Sequence, residues 1–326
     1  MFDQGRQIPA KLTIGFLIVG LLSTISVSCS YQPNQQLRIG TNSWPGYEPL
    51  YLARSLDYFQ DHDIRLVELS SASQVMRAFR NGLIDAAALS LDETILLLSQ
   101  GYQPRIVLVL DISDGADAIV SRPELDNISE LSGKKIGVES SALGAYVLAR
   151  ALELNNLTAD DVRIVPINID KQLRSFQQGE VDALVTFEPV KTVLKSKLAG
   201  KVLFDSSQIP GEIVDVLVVR AQYLQQNPDA VNAAKIAWYR ALDYFRQNTQ
   251  AAVNIMAPRL GLMPAEALAS YDGLMLPTKQ ESDQLLKRQS ESTPELLDTA
   301  IKLHKTMLKQ GLKAGMLDLS VLFPPM

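Results

Sequence analysis

From residue 37 onward, two spacings of apolar residues alternate along the chain. LRIGT (37–41), IRLVEL (64–69), IDAAALS (84–90) and DAIVS (117–121) are short runs with the length and apolar content of strands. KIGVE (135–139), VRIVPI (162–167), VDALVTF (181–187) and DVLVVRAQYL (215–224) are further runs of this kind. Helical spacing falls between them, as in PLYLARSLDYF (49–59) and in the stretch opened by ESSALGAYVLAR (139–150). After residue 224 the pattern is helical over 228–248, 249–261 and 293–311. Ser292 or Thr293 caps the last of these, with Pro294 in its first turn and Glu295 behind it. Strands alternating with helices predict an α/β fold with parallel sheets and right-handed crossovers.

The pattern repeats. MRAFRNGLIDAAALSLDETILLL (76–98) aligns with LRSFQQGEVDALVTFEPVKTVLK (173–195), an offset of 97 positions. Arg77 falls on Arg174, Phe79 on Phe176, Gly82 on Gly179 and Asp85 on Asp182. LRIGTNS (37–43) falls on KKIGVES (134–140) at the same offset. Two coincidences at one offset predict two similar units. Strands near 117–121 and 215–219 leave each unit for the other, and the C-terminal helices return to cover the first unit. Lobe 1 is then 37–118 with 215–326, lobe 2 is 119–214, and two strands form a hinge.

Ligands of open parallel sheets bind beyond the carboxyl ends of the strands. The loops there are NSWPGYE (42–48), SLDE (90–93), DISDGAD (111–117), ESSALG (139–144) and TFEP (186–189). Pro45 and Gly46 set a tight turn that holds Trp44 and Tyr47 at the mouth of the first strand. Trp44 equally suits a core position under the following helix. The loops carry Glu48, Asp92, Glu93, Asp111, Asp114, Asp117, Glu139 and Glu188, and no Lys, Arg or His. Such a rim favours an ammonium or protonated heterocycle against an aromatic face. Asp92 and Glu93 also suit a helix start, and Asp85 and Asp182, at strand entrances, are structural. Ser140, Ser141 and Gly144 open a helix whose free N–H groups suit an anion. Acids on one side and N–H groups on the other suit a zwitterion. The candidate ligand contacts are Trp44, Tyr47, Ser90, Asp92, Asp114, Ser140, Ser141, Gly144, Thr186, Glu188 and Asp215, with Asp114 and Glu188 foremost.

Charge and cysteine content narrow the function. A formal net charge of −5 over 326 residues, without a basic stripe, gives no basis for nucleic-acid binding. His62 and His304 lie far apart, on apparent helix faces, as surface residues. The single cysteine, Cys29, excludes internal disulfides and a thiolate metal cage, and neither metal nor cofactor is expected. Arg6 and Lys11 precede the apolar run LTIGFLIVGLLSTISV (12–27), which is short for a bilayer span and ends in SVSC (26–29). Residues 1–28 are expected to be a signal peptide and 29–36 a polar tether. SVSC resembles a bacterial lipobox, with Ser26 where Leu is commonest. That resemblance implies cleavage before Cys29, a lipid on it and an extracytoplasmic body. The alternative is an uncleaved N-terminal anchor.

WPGYEPLYLARSLDYF (44–59), NGLIDAA (81–87), QGEVDAL (178–184), LSGKKIGVES (131–140) and FEP (187–189) resemble type II periplasmic solute-binding proteins of ABC importers. The similarity is to the nitrate, sulfonate and taurine branch, which includes binders of thiamine-pyrimidine precursors. It covers about residues 37–320. It implies a two-lobed fold of mostly parallel sheets flanked by helices, a two-strand hinge, and a monomer that hands a small solute to a permease with a cytoplasmic ATPase. Some relatives of this fold are enzymes of pyrimidine or quinone precursor synthesis. Here there is no nucleophile elbow, phosphate-gripping glycine loop or strand-end histidine, so a non-enzymatic role is expected. A solute sensor would use the same cleft.

Overall fold

A computed structural model describes residues 1–2, 5, 36–59, 62–139, 142–286, 294–311 and 316–324. The chain divides into Met1–Pro33 and Asn34–Met326, and all the elements named below belong to the second unit. Apart from residues 1–2 and 5, the segment expected to be a signal peptide lies outside the described residues, as do Cys29, Ser140, Ser141, Ser292 and Thr293. Among those residues, no helix is long and apolar enough to cross a membrane.

The first repeat unit forms β1 (Leu37–Thr41), α1 (Glu48–Ser55), β2 (Ile64–Glu68), α2 (Ala72–Arg80), β3 (Ala86–Ser90) and α3 (Leu91–Ser99), followed by β4 (Pro104–Ser113). The second begins after β5 (Asp117–Ser121). It comprises β6 (Lys135–Val138), α4 (Ala142–Leu154), β7 (Arg163–Pro166), α5 (Ile169–Gln177), β8 (Ala183–Phe187), α6 (Val190–Lys197) and β9 (Lys201–Asp205). The chain returns through β10 (Val214–Arg220), α7 (Ala221–Gln226), α8 (Pro228–Gln247), α9 (Thr249–Leu260), α10 (Pro264–Ala269), β11 (Leu274–Met275), α11 (Lys279–Leu286) and α12 (Glu295–Lys309). α8 and α9 pack on α1, and α12 packs on α3.

The described residues form two mixed sheets. One has the strand order β11-β4-β10-β3-β1-β2, the other β7-β6-β8-β5-β9. The βαβ units are parallel, whereas β10 runs antiparallel to β3 and β4, and β5 antiparallel to β8 and β9. Antiparallel pairing thus takes a larger share than the strand–helix alternation predicts, because the strands flanking each crossing enter the neighbouring sheet from the opposite end.

The repeat carries one device twice. The Asp85 carboxylate accepts the Arg38 N–H at 3.1 Å, and the Asp182 carboxylate accepts the Lys135 N–H at 2.8 Å. Each aspartate pins its strand's entrance to the neighbouring parallel strand. Asp85 also takes two bonds from the Arg38 guanidinium, at 2.7 and 2.8 Å. Asp85→Ala is therefore expected to cost roughly 2–3 kcal/mol, and Asp182→Ala about 1 kcal/mol. Urea unfolding of both variants checks this, and equal losses would contradict the added weight of Arg38.

The chain passes between the sheets at 114–116 and returns through 206–213. Both passages converge on Ser206, which is fully buried. Its hydroxyl pairs with the Ser113 hydroxyl at 2.8 Å and accepts the Gly115 N–H at 2.6 Å. The Asp117 N–H donates in turn to Ser113 Oγ at 3.2 Å.

Several local expectations change. β4 takes in Asp111, so 111–117 is not one loop; the strand is buried on both faces and shows no alternation. The helix expected over 49–59 ends at Ser55, and the chain turns at Asp57, whose φ is +58°. The strand expected to reach 224 stops at Arg220, where α7 begins. Pro294 is the N-cap of α12 rather than a residue of its first turn. His304 is buried on that helix, and His62 lies in a bend between α1 and β2.

Candidate functional site

The two sheets face each other across a narrow cleft. Each wall is a row of residues set by strand register. On the first sheet, Asp215 lies opposite Ser90 of β3 on one side and Asp111 of β4 on the other. The ladder shifts register just after Asp215, as sheets often do beside a site. On the second sheet, Asp117 lies opposite Phe187. By the 97-residue repeat, Phe187 is the counterpart of Ser90.

The turn after β1 closes the first wall. Trp44 donates its indole N–H to Asp111 Oδ2 at 3.1 Å and meets Phe187 edge-on, 5.6 Å between centroids and 82° between planes. The indole contact therefore bridges the two sheets. Gly46 makes room for it: a Cβ there would sit 2.0 Å from Asp111 Oδ2 and 2.4 Å from Trp44 Nε1. Gly46→Ala is expected to break the Trp44–Asp111 bond and lower the melting midpoint by several degrees, about 1–2 kcal/mol; an unchanged midpoint would contradict this.

Asn42, Trp44, Tyr47, Ala72, Ser90, Glu93 and Asp215 line the cleft from the first sheet's side. Asp117, Glu139, Leu143, Gly144, Val147, Val185, Thr186 and Phe187 line it from the other. Of the residues expected from the sequence, Trp44, Tyr47, Ser90, Gly144, Thr186 and Asp215 come together here. Asp92 is buried at the start of α3, outside the lining. Asp114 is exposed in the first passage between the sheets. Glu188 is buried outside the lining, where it accepts the Thr192 N–H at 3.0 Å and stands 3.5 Å from Lys191 Nζ. Glu48 pairs with Arg259 at 3.1 Å, inside the packing of α1 against α9. Lys191, which the strand-end loops do not contain, donates to the Gly115 carbonyl at 2.7 Å beside Asp117.

The carboxylates are crowded and buried. Asp92 Oδ2, Glu93 Oε1, Asp111 Oδ1, Asp117 Oδ2, Glu139 Oε2 and Asp215 Oδ1 are buried without a hydrogen-bond partner, as is Thr186 Oγ1. Burial, which disfavours the charged form, pushes Asp111 up to about 8, Asp117 to about 7 and Asp92 to about 6. Glu93 and Asp215 rise well above the usual range, first through burial and then through neighbouring acids: Asp92 and Glu139 act on Glu93, and Asp111, Asp117 and Glu93 on Asp215. Burial also raises Glu139. The Tyr47 hydroxyl, raised by burial and by Asp215, stays protonated and faces that carboxylate. Among the described residues no Lys, Arg or His lines the cleft, and no group of His, Cys, Asp and Glu is arranged to hold a metal ion.

Known proteins share this architecture. The alkanesulfonate-binding protein from Xanthomonas axonopodis pv. citri bound to MOPS superposes with a TM-score of 0.74 at 18% identity, covering 88% of this chain and 96% of that one. The taurine-binding periplasmic protein of Escherichia coli (strain K12) is 24% identical over 192 residues, which is 57% of this chain and 59% of that protein's length, under two thirds of it. A putative aliphatic sulfonates-binding protein of the same strain is 23% identical over 266 residues, 79% of this chain and 82% of that one. The family model described as NMT1-like matches residues 30–260, which takes in the turn of Trp44, both repeat units and both passages between the sheets. With most of its length inside that match, this chain belongs to the NMT1-like family.

Proposed function

We propose that the protein is an extracytoplasmic solute-binding component of an ABC importer, acting as a monomer. It captures a small polar solute between lobe 1 (37–118 and 215–326) and lobe 2 (119–214) and delivers it to a membrane permease with a cytoplasmic ATPase. The observation that carries this reading is the cleft. It is walled by the strand ends of two sheets, floored by aromatics, and lined by polar groups that lack partners within the protein. The relatives named for taurine and sulfonate binding support it. Trp44, Tyr47, Ser90, Gly144, Thr186 and Asp215 are the proposed contacts. A solute touching both walls favours the closed arrangement, since only differential affinity shifts the population. Small-angle scattering should therefore show compaction when a solute that raises the melting midpoint is added at saturation. Identical profiles would contradict closure, and a solute recovered chemically altered would favour an enzyme.

The N-terminal reading belongs to the same proposal. Residues 1–28 act as a signal peptide, and Cys29 carries a lipid that tethers the body through residues 29–36. Cys29→Ala should abolish metabolic labelling with radiolabelled palmitate and release the protein from the membrane fraction. Unchanged labelling would overturn the anchor.

A further inference from the structure

We infer that the cleft selects a small organic cation, a protonated amine or cationic nitrogen heterocycle, held by Glu93, Asp117, Glu139 and Asp215 against the rings of Trp44, Tyr47 and Phe187. This rests on the solute-binding reading and goes beyond the sulfonates in the relatives' names. Four carboxylates line the cleft, two from each sheet's side, and each is more than nine-tenths buried. Each also presents an oxygen with no hydrogen-bond partner: Glu93 Oε1, Asp117 Oδ2, Glu139 Oε2 and Asp215 Oδ1. Their other oxygens are engaged: Glu93 accepts the Ser90 N–H at 3.2 Å, Glu139 accepts the Ser73 N–H at 3.4 Å, and Asp215 takes the Tyr47 hydroxyl.

A buried carboxylate oxygen without a partner is costly, and several on one small space are costlier. A plain anion would meet no Lys, Arg or His among the described lining residues and would favour the protonated acids. A cation favours their ionised form and gives the unpartnered oxygens a partner, and the aromatic rings supply the favourable face for an organic one. Inorganic cations fit less well, because no group of acids among the described residues is arranged to hold a metal. Lys191 is the cation beside Asp117, and its ammonium is committed to the Gly115 carbonyl and Glu188. Thr186 Oγ1, also without a partner, provides a hydroxyl that orients a polar substituent on the same ligand.

Isosteric pairs test this by calorimetry and by thermal shift on the full mature chain. Choline is set against 3,3-dimethylbutan-1-ol, which has the same shape without the charge, and taurine against isethionate, in which a hydroxyl replaces the amine. The nitrogen-bearing member of a pair is expected to bind about thirtyfold or more tighter than its isostere. Asp215→Asn should remove most of that preference. It should also raise the melting midpoint of the unliganded protein, which a purely structural aspartate would not do. Isethionate binding as tightly as taurine, or amine affinity unchanged in Asp215→Asn, would overturn the cationic assignment and leave the solute-binding reading in place. If no member of either pair binds and native mass spectrometry finds no retained small molecule, the solute-binding reading fails and this inference with it.

Discussion

Replacing Trp44 with alanine is expected to cost roughly 3–5 kcal/mol of stability, the range for deleting a large buried ring. The indole is 4% exposed and packs in a core cluster with Tyr47, Leu50, Tyr51 and Trp238. It also holds Phe187 across the cleft and gives its N–H to Asp111. The alanine variant should thus lose core packing, the contact between the two sheets and the donor that satisfies one Asp111 oxygen. Solute affinity should fall at least tenfold per folded molecule, because the cleft loses an aromatic wall. Trp44→Phe separates the parts. It keeps most of the ring and the contact with Phe187 but leaves Asp111 with neither oxygen partnered, for about 1–2 kcal/mol. Chemical unfolding and calorimetry on both variants check this. A stable Trp44→Ala protein with intact affinity would remove the indole from both core and site.

The second large effect is in pH. Asp111, Asp117 and Asp92 bind protons in the folded state up to about 8, 7 and 6, against 3.8 in an unfolded chain. Glu93, Asp215 and Glu139 are raised as well. Between these limits the folded state holds more protons than the unfolded one. Stability from this cluster is therefore fully present below about pH 4 and is lost as pH rises through about 8. Each proton so held changes the balance by about 1.4 kcal/mol per pH unit. The unliganded protein should lose several kcal/mol between pH 5 and pH 8, about the whole span of a marginal stability. Lys191 opposes the trend at Asp117 and Glu188 strengthens it. Glu48, pushed to about 7 by burial beside Arg259, adds a slope of the same sign from outside the cleft. A bound organic cation should flatten the part due to Glu93, Asp117, Glu139 and Asp215. Unfolding curves at pH 5, 6, 7 and 8, with and without saturating amine, measure it. A midpoint that rises with pH in the unliganded protein would contradict the buried cluster.

The repeat made much of the fold legible. At an offset of 97, α2 maps onto α5 and β3 onto β8 without a shift, and Asp85 and Asp182 do the same work at both strand entrances. Local pattern sufficed because each βαβ unit buries a periodic face. β4 and β9 were not picked out, although β3 and β5, which are as fully buried as β4, were. The site was legible only as a set of strand ends. Trp44, Tyr47 and Asp215 were visible as residues at a carboxyl edge. The row Ser90–Asp215–Asp111 depends on β10 pairing between β3 and β4, a long-range choice that no local window contains. Phe187 carried a usable signal, since the repeat places it on Ser90. The roles of Glu188 and Asp114 did not follow from position alone. One turns toward the start of α6 and the other out to solvent, a matter of side-chain direction. Ser206 gave no signal at all: its hydroxyl matters because two distant passages meet at it.

The capture of a small solute in the cleft is tested most directly by native mass spectrometry of the protein isolated without denaturation from its own cells. A one-to-one adduct of a small polar molecule is expected. Unfolding should release it chemically unchanged, and Trp44→Ala should lose it. A protein that stays bare when isolated from cells grown on varied nitrogen and sulfur sources, and that also binds no solute in calorimetry, would contradict the claim.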